Sequence, residues 1–343
     1  MVTVVGGGIA GTTLAGALAR HGQPVTVYER RARTGGGAFL VLDGHAHEVL
    51  AELGVPVQEL ASASYPVHGI RFHHLPAARA AAASEGQRLY RRSDLIRVLT
   101  EFAAPADIHY DTPVTDLDPG TGTLFSDARA LPRDGLVIAA DGTDSSVRAR
   151  LEPDRTPRYA GQIIAYGCTV GPVRLPTEPS VLHFDGRPGP GPVPLATFGH
   201  LWSGTTAFWF VRLTREPIPV RDSGLHPTEV WAEQLTHAAP NLQGTLEALI
   251  AATDQVHVAN TRHVPFAEAA PPAAPVILCG DADHAITPAA ARGAIEAIDD
   301  AAALCAALAT GADPAAAMSA RRARITAERE RSRRRFTPPA RNP

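Results

Sequence analysis

Lysine is absent from this chain of 343 residues, so all 32 of its basic side chains are arginine. Chemistry that runs through a lysine amine is thereby excluded, including Schiff bases, pyridoxal catalysis and lysine-borne haloamines. Cysteine is scarce. Cys168, Cys279 and Cys305 are odd in number and far apart. They form neither a disulfide framework nor a CxxC metal pair, and they suit a reducing cytoplasm. A surplus of charge is missing too: 35 acidic residues stand against the 32 arginines, for a net charge of -3. That balance gives no support for nucleic acid or an acidic membrane as a partner. No apolar run reaches the roughly 18 residues of a membrane span. The start of the chain is apolar, but it is glycine-rich and no basic residue precedes the apolar run. It reads as folded structure and not as a targeting segment. Metal-ligand spacing is also lacking among the 14 histidines. His45 and His47 are two apart and His73 and His74 adjacent, so neither pair shares a helical face, and no metal is expected.

What is present is a core. Hydrophobic residues make up 45% of the chain, and its length suits one composite unit or two intimate domains. Val2 to Val5 reads as a buried strand, followed by Gly6-Gly7-Gly8. Ala10, Leu14 and Leu18 then recur at helical spacing. A second strand runs from Pro24 to Tyr28 and closes with Glu29-Arg30. Together these have the size of a βαβ unit. Residues 33–37 form a glycine-rich loop. Residues 47–53 and 92–102 read as helices, the second with Leu95, Val98, Leu99 and Phe102 on one face. From about 159 to 259 alternating apolar runs and six clustered aromatics predict a second, mainly antiparallel sheet. Residues 275–279 return to a buried strand. An alanine-rich helix spans about 293–308, with Gly311 just past its end. Asp313-Pro314 opens a last helix, whose mixed arginine and glutamate faces read as solvated.

Three stretches carry chemistry. The first is Gly6-x-Gly8-x-x-Gly11, placed between strand and helix as the motif requires. One glycine permits the turn, one lets a pyrophosphate approach the backbone, and one lets the helix pack close. Glu29, 18 residues past Gly11, is placed to accept hydrogen bonds from a ribose diol. The second is Ala140-Asp141-Gly142-Thr143-Asp144-Ser145-Ser146-Val147-Arg148. The third is Leu278-Cys279-Gly280-Asp281-Ala282-Asp283-His284, with Pro288 and Gly293 downstream. Alone, the last two could be strand-end turns with a capping aspartate.

In this order the three resemble the class A flavin monooxygenases, the family of para-hydroxybenzoate hydroxylase and the polyketide aromatic hydroxylases. Arg92-Ser93-Asp94-Leu95 resembles the family's Arg-x-x-Leu helix start, and the similarity covers nearly the whole chain. The resemblance implies an α/β fold: a Rossmann-like FAD-binding domain, an inserted, mainly antiparallel β-sheet substrate domain, and C-terminal helices. The FAD-binding domain would be discontinuous, 1–155 plus 265–343, with a sheet excursion near 60–90. The substrate domain would be 156–264. The chain resembles the short members without an appended thioredoxin-like domain. Gly6, Gly8, Gly11, Glu29 and Arg30 would hold the ADP half of FAD, with Arg92 near the pyrophosphate. Asp141 would serve FAD and nicotinamide binding, and Asp281 the ribityl–phosphate part. Pro288, Gly293, Ala294 and Ile295 would lie along the isoalloxazine ring. NADH or NADPH would act as a transient co-substrate, without a second glycine motif. Dioxygen would yield a flavin C4a-hydroperoxide that inserts one oxygen atom into a hydrophobic, aromatic or polyketide-like small molecule, by hydroxylation, epoxidation or Baeyer–Villiger insertion. A cytoplasmic monomer or homodimer is expected.

One stretch departs from the family pattern. Ala291 stands where a glycine is usual, and Ile295 where a polar or flexible residue is usual. If the glycine serves a positive φ, alanine there costs about 1 kcal/mol. That departure motivates one alternative, a flavin dehydrogenase or reductase without oxygen insertion; a non-catalytic flavin-binding homologue that keeps the scaffold is the other. For the substrate wall, Trp202, Phe208 and Phe210 are candidates against a plain sheet-core reading, with Phe208 and Phe210 on one strand face and Trp209 on the other. His183 could orient a phenol or carbonyl, or be structural. No catalytic acid or base stands out.

Overall fold

A computed structural model of the chain describes residues 1–32, 38–76, 80–133, 135–191, 193–287 and 291–336. Its first layer is a five-stranded parallel sheet. Val2–Val5, buried at every position, lies in the middle, between Val25–Tyr28 and Leu136–Ala139. Asp107–His109 and Val276–Leu278 complete the edges. Strands buried on both faces need no polar alternation, which is why these segments read as short unbroken apolar runs. The chain leaves the central strand to one side and later returns on the other. This arrangement opens a crevice at the strands' carboxyl ends.

Helix Ile9–Arg20 is buried along its first ten residues. Its core cluster joins Leu14 and Leu18 to Ile138, Ile277, Ala301 and Leu304. Close packing has a steric cause at Gly16, where a Cβ would stand 2.3 Å from the Phe102 ring. Helix Arg92–Phe102 thus packs on it directly, with Leu95, Val98 and Leu99 inward as their spacing predicts.

The second layer is an eight-stranded sheet in the order Gly224–Pro227, Gln255–His263, Arg158–Cys168, Thr206–Thr214, Ala196–Ser203, Val181–Arg187, Gly69–Phe72, Ala81–Ala83. All its pairings are antiparallel except Val181–Arg187 with Gly69–Phe72. Two strands from the 60–90 region therefore belong to it. Helices Glu229–Thr236 and Gln243–Ala251 cover one face. There Trp231, Leu235, Leu246 and Leu249 pack on Phe198, Trp209 and Val256. A small sheet, Phe39–Leu42, Arg88–Arg91 and Ser64–Pro66, lies against the other face, with Leu89 beside Leu182, Leu201 and Phe208.

The helix expected at 47–53 spans Gly44–Glu52. It starts earlier because the Asp43 carboxylate accepts the Ala46 N–H at 2.9 Å and caps it. Helix Gly293–Thr310 stops at Gly311, left-handed at φ 72°, as its position predicts. The last helix, Pro314–Phe336, is not the solvated rod its composition suggests. Arg321, Arg322 and Arg329 leave it to meet buried carboxylates of Asp300, Asp283 and Glu296. Composition cannot reveal this, because the partners lie 21 to 39 residues away in sequence. Among the described residues no helix is long and apolar enough to cross a membrane.

Candidate active site

The three motifs converge at the crevice. Gly6 has φ 101°, and a Cβ there would stand 2.5 Å from the Ala140 carbonyl oxygen, so the first motif lies directly on the second. A Cβ at Gly11 would stand 1.9 Å from Gly6 O, which fixes glycine at the helix's first turn. Around Gly8 nothing lies within 4 Å of the Cβ position. The loop is therefore tight on its protein side and open where a pyrophosphate would approach. Glu29 stands at the tip of the second strand. Its carboxylate accepts the Gly7 N–H at 2.6 Å and the Arg31 N–H at 2.8 Å. Those bonds aim it and leave lone pairs for a diol. Arg30 beside it is exposed.

Gly280, at φ 59°, brings the third motif in. Its Cβ would meet Ala10 at 3.2 Å and Ala297 at 3.3 Å, so this turn touches the first helix and the long helix together. Asp281 follows, and its Oδ1 lies 3.5 Å from the Cβ position of Gly293. Asp281 is accessible yet surrounded by protein, as on the wall of a deep cleft, and that desolvation pushes its carboxyl up. Burial does the same to Asp141, whose Oδ1 is buried without a hydrogen-bond partner. An orphaned carboxylate oxygen beside an open glycine loop is what a dinucleotide site leaves when written as protein alone. Arg92, the first residue of its helix, anchors its N–H on the Ala38 carbonyl at 2.9 Å. Its charge acts on both Asp281 and Tyr166.

The last residue of the second motif, to which the sequence assigned no role of its own, connects two of the motifs. Arg148, fully buried, donates to Ala282 O at 2.8 Å, Thr143 O at 2.6 Å and Arg155 O at 3.1 Å. It ties the second motif to the third through carbonyls alone, and no local signal marks such a role. Arg262 of the large sheet then holds Asp144 with two bonds of 2.6 and 2.8 Å.

The sheet face toward the small sheet is aromatic. Tyr166, Phe208, Phe210 and Phe184 share it through the cross-strand register. Phe39 stands over them, its ring centroid 5.6 Å from Phe208, 6.4 Å from Tyr166 and 6.5 Å from Phe210. Tyr166 stacks on His257 at 4.9 Å, and burial pushes its phenol up to about 12. Arg212 lies on this face too, its guanidinium carbon 5.6 Å from the Phe210 centroid.

Two candidates must be corrected. Trp202 and His183 lie on the opposite, helix-covered face, paired in register with Ala207 and His200. The Trp202 Nε1–H donates to Thr177 O at 3.0 Å. His183 bonds His73 at 3.0 Å and the Glu178 carbonyl at 3.0 Å. Their placement follows because strand alternation sends neighbours to opposite faces and the register decides which face is covered. Phe208 and Phe210 do share one strand face, as expected, but Phe208 is buried in the core beneath the small sheet and only Phe210 is part-exposed. The Ile295 side chain is also corrected: it is buried with Leu42, Leu50 and Val98, away from the cleft. Ala291 has φ 50°, so the position where glycine is usual does demand a left-handed backbone. Pro288 and the glycine-rich loop 33–37 lie outside the described residues.

Comparison with known proteins gives three findings. A family model described as FAD binding domain matches residues 1–334. Among curated proteins, 3-amino-4-hydroxybenzoate 2-monooxygenase PtmB3 of Streptomyces platensis is 28% identical over 326 residues, covering 88% of this chain and 77% of the relative. Kynurenine 3-monooxygenase of Salinispora arenicola is 26% identical, covering 93% and 74%. Among solved structures, CtdE in complex with FAD superposes with a TM-score of 0.77 at 19% identity, covering 98% of this chain and 93% of that one.

Proposed function

From the premise that this chain belongs to the FAD binding domain family of para-hydroxybenzoate hydroxylase-like flavin monooxygenases, we propose that it spends NADH or NADPH to insert one oxygen atom into a hydrophobic aromatic small molecule. The observations that support the reading are the packing of Gly6 on Ala140 and Asp141 and of the Gly280-Asp281 turn on the first helix, with the Arg92 charge reaching both Asp281 and Tyr166 of the aromatic face. The named activities of the aminohydroxybenzoate and kynurenine relatives support an aromatic substrate.

In this reading FAD, when bound, relays electrons from the nicotinamide to dioxygen and delivers the oxygen atom. The chain's own groups do the rest. Gly6, Gly8 and Gly11 admit the pyrophosphate to backbone N–H groups at the first helix's N-terminus. Glu29 takes the ribose diol, with the exposed Arg30 nearby. Arg92 offers its charge to the phosphates, Asp141 accepts from the cofactor's polar edge, and Asp281 accepts from the ribityl chain. Gly293 and Ala294, in the first turn of an 18-residue helix, favour negative charge at the ring's pyrimidine edge. Phe39, Tyr166 and Phe210, backed by the buried Phe208, enclose the substrate and exclude water. Tyr166 stays protonated across the neutral range, since its phenol is held at about 12, and so orients the substrate as a donor. The domain division proposed is cofactor binding by 1–155 and 265–343 and substrate binding by 156–264, with strands Gly69–Phe72 and Ala81–Ala83 lent to the latter.

A second reading, hydride chemistry without oxygen insertion, draws on Ala291, whose φ of 50° sits at the proposed ring seat. Product mass separates the two. Purified protein incubated with NADH or NADPH, an aromatic panel and ¹⁸O₂ should give one labelled oxygen per product. Nicotinamide oxidation that yields only peroxide with every compound would overturn the monooxygenase reading.

A further inference from the structure

Asp281, the residue proposed to meet the ribityl chain, opens a helix of only four residues, Asp281–His284. A helix that short has no stability of its own. Its shape is imposed by what packs around it. The Gly280 N–H donates to Asp300 at 3.0 Å. The Ala282 carbonyl accepts from Arg148 at 2.8 Å. Asp283, fully buried, takes a fork from Arg322 at 2.8 and 2.6 Å and a third bond from Arg155 at 3.0 Å. The His284 ring meets Asp300, and the His284 carbonyl accepts from Arg329 at 2.8 Å. Among the described residues Asp281 makes no ion pair. Asp283, Glu296 and Asp300 behind it each make one with an arginine of the last helix, Pro314–Phe336.

The docked face of that helix is mixed. Met318, Arg321, Ile325 and Arg329 recur at three- and four-residue spacing and so lie in one stripe. Met318 and Ile325 are its buried apolar anchors. Around them the arginines reach inward: Arg321 to Asp300 at 2.9 Å, and Arg329 to Glu296 at 2.7 Å. A buried carboxylate stripped of its cation is strongly destabilising. Undocking the helix would therefore leave Asp283, Glu296 and Asp300 short of charge and free the turn that carries Asp281. Ordering that turn, in reverse, sets the acceptors that receive the arginines. We infer that Arg322 and Arg329 are positioning residues for the flavin: the last helix clamps the turn 280–284 from behind, and its docking and the binding of FAD form one coupled equilibrium. The inference rests on the proposed flavin seat and adds the element that sets its shape. Both arginines act through the turn, since their donors end on Asp283, Glu296 and the carbonyls of Ala270 and His284. The coupling is reciprocal: whatever the docked helix adds to FAD affinity, FAD adds to the docking of the helix.

The test titrates the full-length apoprotein with FAD, followed by flavin fluorescence, for the parent, Arg322→Gln, Arg329→Gln, Arg322→Lys and, as a control on the exposed side of the same helix, Arg324→Gln. At a temperature where circular dichroism shows every variant folded, Arg322→Gln and Arg329→Gln should each weaken FAD by at least about fivefold. Arg322→Lys should recover part of the loss, because an ammonium restores the charge on Asp283 without the fork. Arg324→Gln should bind as the parent does. In the parent, FAD should slow hydrogen exchange across Pro314–Phe336 as well as at 280–284, and Arg322→Gln should lose the slowing in the last helix. An arginine that serves general stability alone would lower the melting temperature yet leave the folded protein's FAD affinity and exchange response unchanged. Parent-like affinity in both folded glutamine variants overturns the inference, and so does a last helix whose exchange in the parent ignores FAD. If the glutamine variants do not fold, the parent's exchange response decides alone. A parent that takes up no FAD refutes the flavin reading and the clamp with it, whereas a parent that binds FAD no better than its glutamine variants refutes the clamp alone.

Discussion

Replacing His284 with asparagine tests the buried charge network beneath the proposed cofactor site. The His284 Nε2 lies 2.6 Å from an Asp300 carboxylate oxygen, and its Nδ1 lies 3.5 Å from Glu296. Asp300 also accepts the Gly280 N–H at 3.0 Å and the Arg321 Nε at 2.9 Å. Arg329 holds Glu296 at 2.7 Å. Burial alone would push the imidazole down, but Asp300 and Glu296 outweigh it and hold it at about 10. His284 is therefore a buried imidazolium near neutral pH. Removing one partner of a buried ion pair costs about 3–5 kcal/mol, since the remaining charges lose their counter-ion. The pH dependence is the sharper signature. A group raised in the folded state stabilises fully below its unfolded value of 6.5, and that stability is lost as pH rises toward about 10. Between those limits the folded chain holds one more proton than the unfolded chain. The gap between parent and His284→Asn should thus narrow by about 1.4 kcal/mol for each pH unit. Urea unfolding of the apoprotein, followed by tryptophan fluorescence at pH 7, 8 and 9, reads this directly. A gap that stays constant over that range would refute a charged His284.

Other substitutions address the site itself. Gly11→Ala forces a Cβ to 1.9 Å from Gly6 O; the purified variant should retain no FAD, as absorbance would show, and flavin retained at the parent's level would contradict the loop's role. Ala291→Gly relieves the left-handed backbone at φ 50°. It should tighten FAD by up to about fivefold, the equivalent of about 1 kcal/mol, in a fluorescence titration. Phe210→Ala should weaken aromatic ligands with little change in melting temperature. Trp209→Ala, on the covered face with its Nε1–H on Thr253 at 2.9 Å, should instead cost about 3–5 kcal/mol of stability. Reversal of that pattern would mean the two faces have been assigned wrongly.

The cofactor half of the molecule was legible because its signals are local. A glycine that a turn requires is written at the turn, so Gly6, Gly11 and Gly280 could be read one at a time and then ordered along the chain. Helix Arg92–Phe102 was legible for the same reason, since an amphipathic period needs only its own residues. The substrate half was not. Alternation shows that Phe208 and Trp209 part company, but nothing in the strand says which side helices will cover, so Trp202 and His183 were placed on the wrong wall. Ile295 was expected beside the ring because the family resemblance puts a polar or flexible residue at its position. The helix's rotation sends it into the core with Leu42 and Leu50.

By itself the sequence determined which backbone positions tolerate no side chain and which runs must be buried, because those constraints act within a few residues of their cause. It thereby also determined the order of the three motifs and the family they mark. Tertiary structure alone decided the partners of charge. Arg148 closing on Ala282, Arg321 on Asp300 and Arg262 on Asp144 are outcomes of distant segments meeting. A guanidinium's surroundings are set by whichever elements pack around it, and one arginine reads like another until they do.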